Sequence, residues 1–226
     1  MKSLNQYIQE KLIINQRFDE KLIINKDYHD TKIAEPKSFD ELRKIIEDRY
    51  DKLGPGTKEN PIDFNDIDVS NLDSFCNEDK GIFDKTKFKY IDISDWDVSN
   101  IKSMRGMFYD CEELESTGDL SNWDVSNVTN MRSMFLECEE LESVGDISNW
   151  NVSNVTDMSY MFAFCKKFNQ DISGWNVSKV TNMSHMFYKC KKFNKDISCW
   201  NVLKVKNTLD IFECCPIKEE YKPKFK

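Results

Sequence analysis

Apolar positions along the second two thirds of the chain fall on a repeating grid. In the run Met158, Met161, Phe162 and Cys165 they stand at i, i+3, i+4 and i+7. That spacing puts one stripe on about two helical turns and predicts a short helix in every repeat. Thr129, Thr156 and Thr181 precede their stripes and are the expected N-caps. The following segment Gln170-Asp171-Ile172-Ser173 alternates polar with apolar and predicts a very short strand, with Ile172 inward and Asp171 and Ser173 outward. Neither element could bury its apolar side alone, so neighbouring copies must bury it.

The period is set by tryptophan and cysteine. Trp96, Trp123, Trp150, Trp175 and Trp200 are separated by 27, 27, 25 and 25 residues, and Cys111, Cys138, Cys165, Cys190 and Cys215 keep step. A fixed period in this range marks a stack of coils. Asp63 to Asn71 is a degenerate earlier copy with Ile67 in the tryptophan place. The expected organisation is an arm over 1–35, a capping helix and linker over 36–60, one degenerate plus five full repeats over 61–216, and a basic tail over 217–226. Phe108, Phe135, Phe162, Phe187 and Phe212 should form one inward column, and the methionines another.

The N-terminal region differs in kind. Ser38 and Glu41 form a capping box, Phe39, Leu42, Ile45, Ile46 and Leu53 trace a stripe, and Gly54-Pro55 ends it, which predicts a helix over 39–53. Ser3 and Gln6 mark a shorter helix over about 3–12. Leu12-Ile13-Ile14 recurs as Leu22-Ile23-Ile24, ten residues on. This duplicated apolar peptide reads either as a docking arm for another protein or as part of the cap.

The grid over residues 154–178 resembles the 25-residue repeat of BspA-like leucine-rich-repeat surface proteins, a repeat also found in mycoplasma lipoproteins and in proteins of bacteriophages of gut Bacteroidales. The resemblance covers about two thirds of the chain in five copies. It implies a leucine-rich-repeat-like right-handed solenoid, with one short strand and one short helix per turn, used for binding; some relatives are exported adhesins. The N-terminus has no signal-peptide core, lipobox cysteine or anchor. The expected location is therefore a reducing bacterial cytoplasm or a virion, with surface export less favoured.

Composition narrows the function. The net charge is −8, and all of it lies beyond residue 53, which disfavours a nucleic-acid partner. No apolar run approaches the ~18 residues of a membrane span. The 15 Phe, 8 Tyr and 5 Trp exclude a disordered chain. The two histidines, His29 and His185, have no repeated partners, and His185 is expected on an exposed helix face. No phosphate loop, G-x-S-x-G or H-E-x-x-H occurs. No catalytic, cofactor-binding or metal-ligating residue is expected. The cysteine column reads as a buried reduced ladder, with disulfides or metal as the alternatives.

Two sets of positions are left for a partner protein. One is the variable column Asp95, Asn122, Asn149, Gly174 beside the constant aspartates and serines, which cap turns or bind. The other is a ridge that starts acidic, with Glu112, Glu113, Glu139 and Glu140, and turns basic, with Lys166, Lys167, Lys191 and Lys192. Such a ridge could steer a partner, favour weak self-association of an otherwise monomeric chain, or be solvated surface. The expected function is a non-catalytic protein-interaction module of leucine-rich-repeat type, bacterial or phage-encoded, binding an unknown protein. The alternative is a structural or adhesive surface or virion protein.

Overall fold

The computed structural model describes residues 34–78 and 80–226. The shorter helix over 3–12, the duplicated Leu12-Ile13-Ile14 and Leu22-Ile23-Ile24, and His29 lie outside them. Glu35–Lys226 forms one compact unit.

The unit opens with helix α1, Phe39–Leu53. The Ser38 hydroxyl accepts from Glu41 N–H at 3.2 Å, the Glu41 carboxylate accepts from Lys37 N–H at 2.8 Å, and Gly54 ends the helix at φ 75°. Leu42 and Ile46 are buried as the stripe requires, but so is Arg49. Its guanidinium grips both Asp66 carboxylate oxygens, at 2.6 and 2.9 Å, donates to Asp63 C=O, and lies 4.9 Å over the Phe64 ring. Arg43 donates to the carbonyls of Gly81, Ile82 and Asp84, each at 3.1 Å. The helix thus covers the first coil with apolar residues and satisfies its carbonyls with two arginines.

From there the chain stacks coil on coil. Regular strands are few: β1 (Ile62–Asp63) pairs in parallel with β4 (Ile91–Asp92), and β2 (Cys76–Asn77) pairs antiparallel with β3 (Lys80–Gly81) inside the first coil. The long-range register is carried by single parallel bridges that run Ser74, Ser103, Asn130, Asp157, Asn182, Asn207, one residue per coil. This line falls just before the methionines. No strand forms over Gln170-Asp171-Ile172-Ser173, although Ile172 is buried and Asp171 exposed as its alternation requires.

The helix expected in each repeat does not form. Residues 159–164 are consecutive turns. The N–H groups of Met161, Ala163 and Cys165 close i→i−3 turns within the coil. Those of Met158, Tyr160, Phe162 and Phe164 donate to Asn182, Ser184, Met186 and Tyr188 of the next coil, at 2.8 to 3.0 Å. Tyr160 and Phe164 take left-handed φ values of 60° and 62°, which end any helix. A left-handed residue costs about 1–2 kcal/mol, and a two-turn helix closes too few of its own bonds to survive. Giving every second N–H a partner in the next coil outweighs both. Chained turns place i, i+3, i+4 and i+7 on the same side as a helix would, so the pattern could not tell them apart. The threonines therefore cap nothing: Thr156 and Thr181 donate N–H and hydroxyl to the carbonyl of the preceding threonine, and Thr129 does so to Lys102.

Inside, the columns run unbroken. Phe108, Phe135, Phe162 and Phe187 stack with centroids 5.4 to 5.9 Å apart, and Phe212, half-buried, continues the row at 5.8 Å. Each indole N–H donates to a carbonyl one coil back, as Trp150 does to Leu120 at 2.9 Å. Each thiol of Cys111, Cys138, Cys165 and Cys190 donates to a phenylalanine carbonyl one coil back, at 2.8 to 3.0 Å. The tail over 217–226 is less separate than its charge implies: Ile217 is buried, Tyr221 C=O accepts from Ile197 N–H at 3.0 Å, and Lys218 N–H bonds Asn194 at 3.0 Å.

Candidate functional site

Coil length is the first determinant of surface shape. Immediately before the turn aspartate, the first two full repeats read Glu115-Ser116-Thr117-Gly118 and Glu142-Ser143-Val144-Gly145 after their leucine; the next two read only Asn169-Gln170 and Asn194-Lys195 after their phenylalanine. The 27-residue coils are two residues longer here, and the longer segments keep Thr117 and Val144 buried. Gly118 and Gly145 end these segments at φ 80° and 85°, with the aspartate of the preceding coil so close that a Cβ on Gly145 would stand 1.8 Å from Asp119 Oδ1.

Beside these longer segments an open groove of about 400 Å³ forms. Pro61, Tyr90 and Ile91 supply its apolar wall. Asp92, Glu115, Glu140 and Glu142 bring four carboxylates to it, and Lys58 and Lys167 two ammoniums. The Tyr90 hydroxyl donates to Glu115; that bond, then burial, raises the phenol above its usual pKa. Lys167 Nζ lies 2.6 Å from Glu140 Oε2, and Glu140 first, then Glu115 and Glu142, hold the ammonium above the usual lysine range. Asp92 is engaged by Ser94 through N–H and hydroxyl, at 3.0 and 2.7 Å. Glu142 is exposed and has no bonded partner among the described residues.

The ridge residues are brought together, but at the junction they bind each other. Lys166 pairs with Glu139 and Lys167 with Glu140, and Glu113 pairs with Lys89 at 3.4 Å. Glu112, Lys191 and Lys192 stay exposed. Asp95, Asn122, Asn149 and Gly174 are exposed as well, but line no part of the groove. The aspartates beside that column are turn caps: Asp92, Asp119, Asp146, Asp171 and Asp196 each accept from the serine N–H two residues on, at 2.9 to 3.0 Å. Hydrogen bonds from serine hold the carboxyls of Asp146, Asp171 and Asp196 below the usual range.

His185 is not on an exposed face. Its side chain is 17% exposed, stacks on Tyr160 at 4.5 Å and 4°, and points Nε2 at Asp210 Oδ2, 3.4 Å away. Asp110, Glu112 and Glu137 bring one carboxylate oxygen each within 4.8 Å of one another, a spacing a hard cation could bridge. Burial first, then the fields of Asp110, Glu112 and Glu139, push Glu137 above the usual carboxylate range, so as it stands the cluster is one of mutual repulsion.

The repeat region of the chain matches a known family. Its model, described as "Mycoplasma protein of unknown function, DUF285", matches residues 57–144 and 113–222. The chain belongs to the DUF285 family. No curated protein and no solved structure matches the chain. The two matches meet in the coils that build the groove, so its walls are part of the DUF285 repeat region rather than an appendage to it. No helix among the described residues is long and apolar enough to cross a membrane.

Sequence reasoning missed the groove's Lys58, which comes from the linker, and its Pro61 and Tyr90, which come from the two ends of the degenerate first coil. Glu115 and Glu142 were visible as part of an acidic pattern, and the length change from 27 to 25 residues was the signal that could have located them.

Proposed function

We propose that this DUF285 chain is a non-catalytic protein-binding module: a right-handed solenoid of the BspA-like leucine-rich-repeat type that holds its partner at the groove lined by its longer coils. The observation that carries the reading is the groove itself. It combines an apolar wall with unevenly paired charges and sits on a frame in which successive coils are locked by backbone and side-chain bonds. Solenoids use extended surfaces of this kind for partners, and a rigid frame lowers the ordering cost of binding. The working location is a bacterial cytoplasm or a virion. The adhesive alternative places the same surface outside the cell, and fractionation of the producing cells separates the two.

The test is a photo-crosslinking amino acid placed at Ser116, in the groove, or at Lys204, an exposed position on the last coil. The reading expects one discrete protein adduct in extracts of the producing cells from Ser116 and none from Lys204. Equal adducts from both positions, or none from Ser116, would overturn it.

A further inference from the structure

The groove's charges do not balance. Four carboxylates face two ammoniums, and the two lysines are unequally placed. Lys167 reaches into the carboxylates, within 2.6 Å of Glu140 and inside the fields of Glu115 and Glu142. One ammonium is therefore already seated where three glutamates converge. Glu115 is held from the other side by the Tyr90 hydroxyl, which fixes its carboxylate and turns the tyrosine ring into a wall. Glu142 is left over: exposed and without a bonded partner among the described residues.

Resting on the protein-binding reading above, we propose that the groove receives a lysine or arginine side chain from an extended segment of the partner protein. The cationic head pairs with Glu142 and Glu115, and the methylene stem lies along Tyr90 and Pro61. Charge complementarity favours this occupant: an acidic or neutral peptide would leave the surplus carboxylates uncompensated, and long cationic side chains suit a site with an apolar wall and a charged end. Lys167 is then the resident competitor. It screens the glutamates in the free protein and must share Glu140, Glu115 and Glu142 with the incoming cation.

The test uses the full chain and a fluorescein-labelled heptapeptide with lysine at its third and fifth positions, alongside arginine, glutamine and glutamate counterparts, read by fluorescence anisotropy at low and at physiological salt. The lysine and arginine peptides should bind, and more weakly as salt screens the pair. Glu142→Gln should weaken them about two- to fivefold, the loss expected when one partner of an exposed ion pair is removed. Lys167→Met should tighten them several-fold, while Lys204→Met, which makes the same change in net charge away from the groove, should not. Equal tightening by Lys167→Met and Lys204→Met would show that the peptide follows net charge, and would overturn the proposal. So would equal binding of the glutamine peptide, or no effect of Glu142→Gln. If the Ser116 crosslink forms but no cationic peptide binds, the module reading stands and the cationic partner is wrong.

Discussion

At the level of single residues, each buried thiol and indole is tied to the coil behind it, as Cys165 is to Phe135 C=O at 2.9 Å and Trp150 to Leu120 C=O at 2.9 Å. The phenylalanines, tryptophans and cysteines could be placed inward because they recur. Their hydrogen bonds to the coil behind could not, since a thiol or an indole N–H needs a partner that only the stacked register supplies. Native-state thiol labelling tests that placement. Cys111, Cys138, Cys165 and Cys190 are buried, and Cys199 and Cys214 are exposed; burial also raises the thiol pKa of Cys138, Cys165 and Cys190. Two thiols should label rapidly in the folded protein and all eight after denaturation; fast labelling of Cys165 would place the column on the wrong side. Asp84 makes the converse case. It is 7% exposed and its Oδ1 has no partner, and burial raises its carboxyl above 3.8 against the pull of Lys85 and Arg43. A carboxyl raised on folding costs nothing below the unfolded pKa, and its cost grows as pH rises through the interval up to the folded pKa. Asp84→Asn, which removes the charge at nearly constant volume, should therefore raise stability at pH 7, and by progressively less toward pH 3. Urea titrations at the two pH values measure both ends, and an equal gain at both would refute the electrostatic cause.

At the level of elements, helix α1 was legible to its bounds because capping boxes and glycine stops are local chemistry. The coil element was not, because its turns borrow their hydrogen bonds from the next coil and leave the same apolar spacing as a helix. A second long-range device lies where coil length changes. Losing two residues between the 27- and 25-residue repeats strands the backbone at Val144 and Gly145. Gln170 supplies a side-chain amide in place of the missing peptide: its Oε1 accepts from Val144 N–H at 3.1 Å, and its Nε2 donates to Gly145 C=O and to Ser143 Oγ at 3.3 Å. The corresponding residue one coil on is Lys195, which has no such step to bridge. Gln170→Ala should destabilise the chain by about 1–3 kcal/mol, because it leaves the N–H of buried Val144 without a partner. Lys195→Ala should fall within about 0.5 kcal/mol of the parent, as a surface change does. Chemical denaturation of the two variants side by side decides it, and equal midpoints would mean that the amide bridge is incidental.

At the scale of the whole molecule, the stack behaves as a sum of nearest-neighbour contacts. The order of the coils was readable from the period, whereas the groove was not, because it joins side chains from the linker and the degenerate first coil to those of three later ones. The same nearest-neighbour logic makes one coil expendable. Removing residues 179–203 joins Ser178 to Lys204 with the 25-residue phase intact. Phe212 then takes the place of Phe187 on Phe162, Cys215 that of Cys190, and Asn207 that of Asn182 in the bridge line. The groove, Gln170 and α1 lie on the N-terminal side of the cut and keep their neighbours. The shortened chain should fold cooperatively, with a urea m-value lower by roughly an eighth, since m follows the surface exposed on unfolding, and with Glu142 and Lys167 responding to the lysine peptide as in the parent. Removing residues 179–198 instead puts the repeat five residues out of phase. Inward positions then face outward, and no stack can form beyond the cut. A folded out-of-phase chain, or an unfolded in-phase one, would mean that the coils are held by something other than the repeating contacts between neighbours.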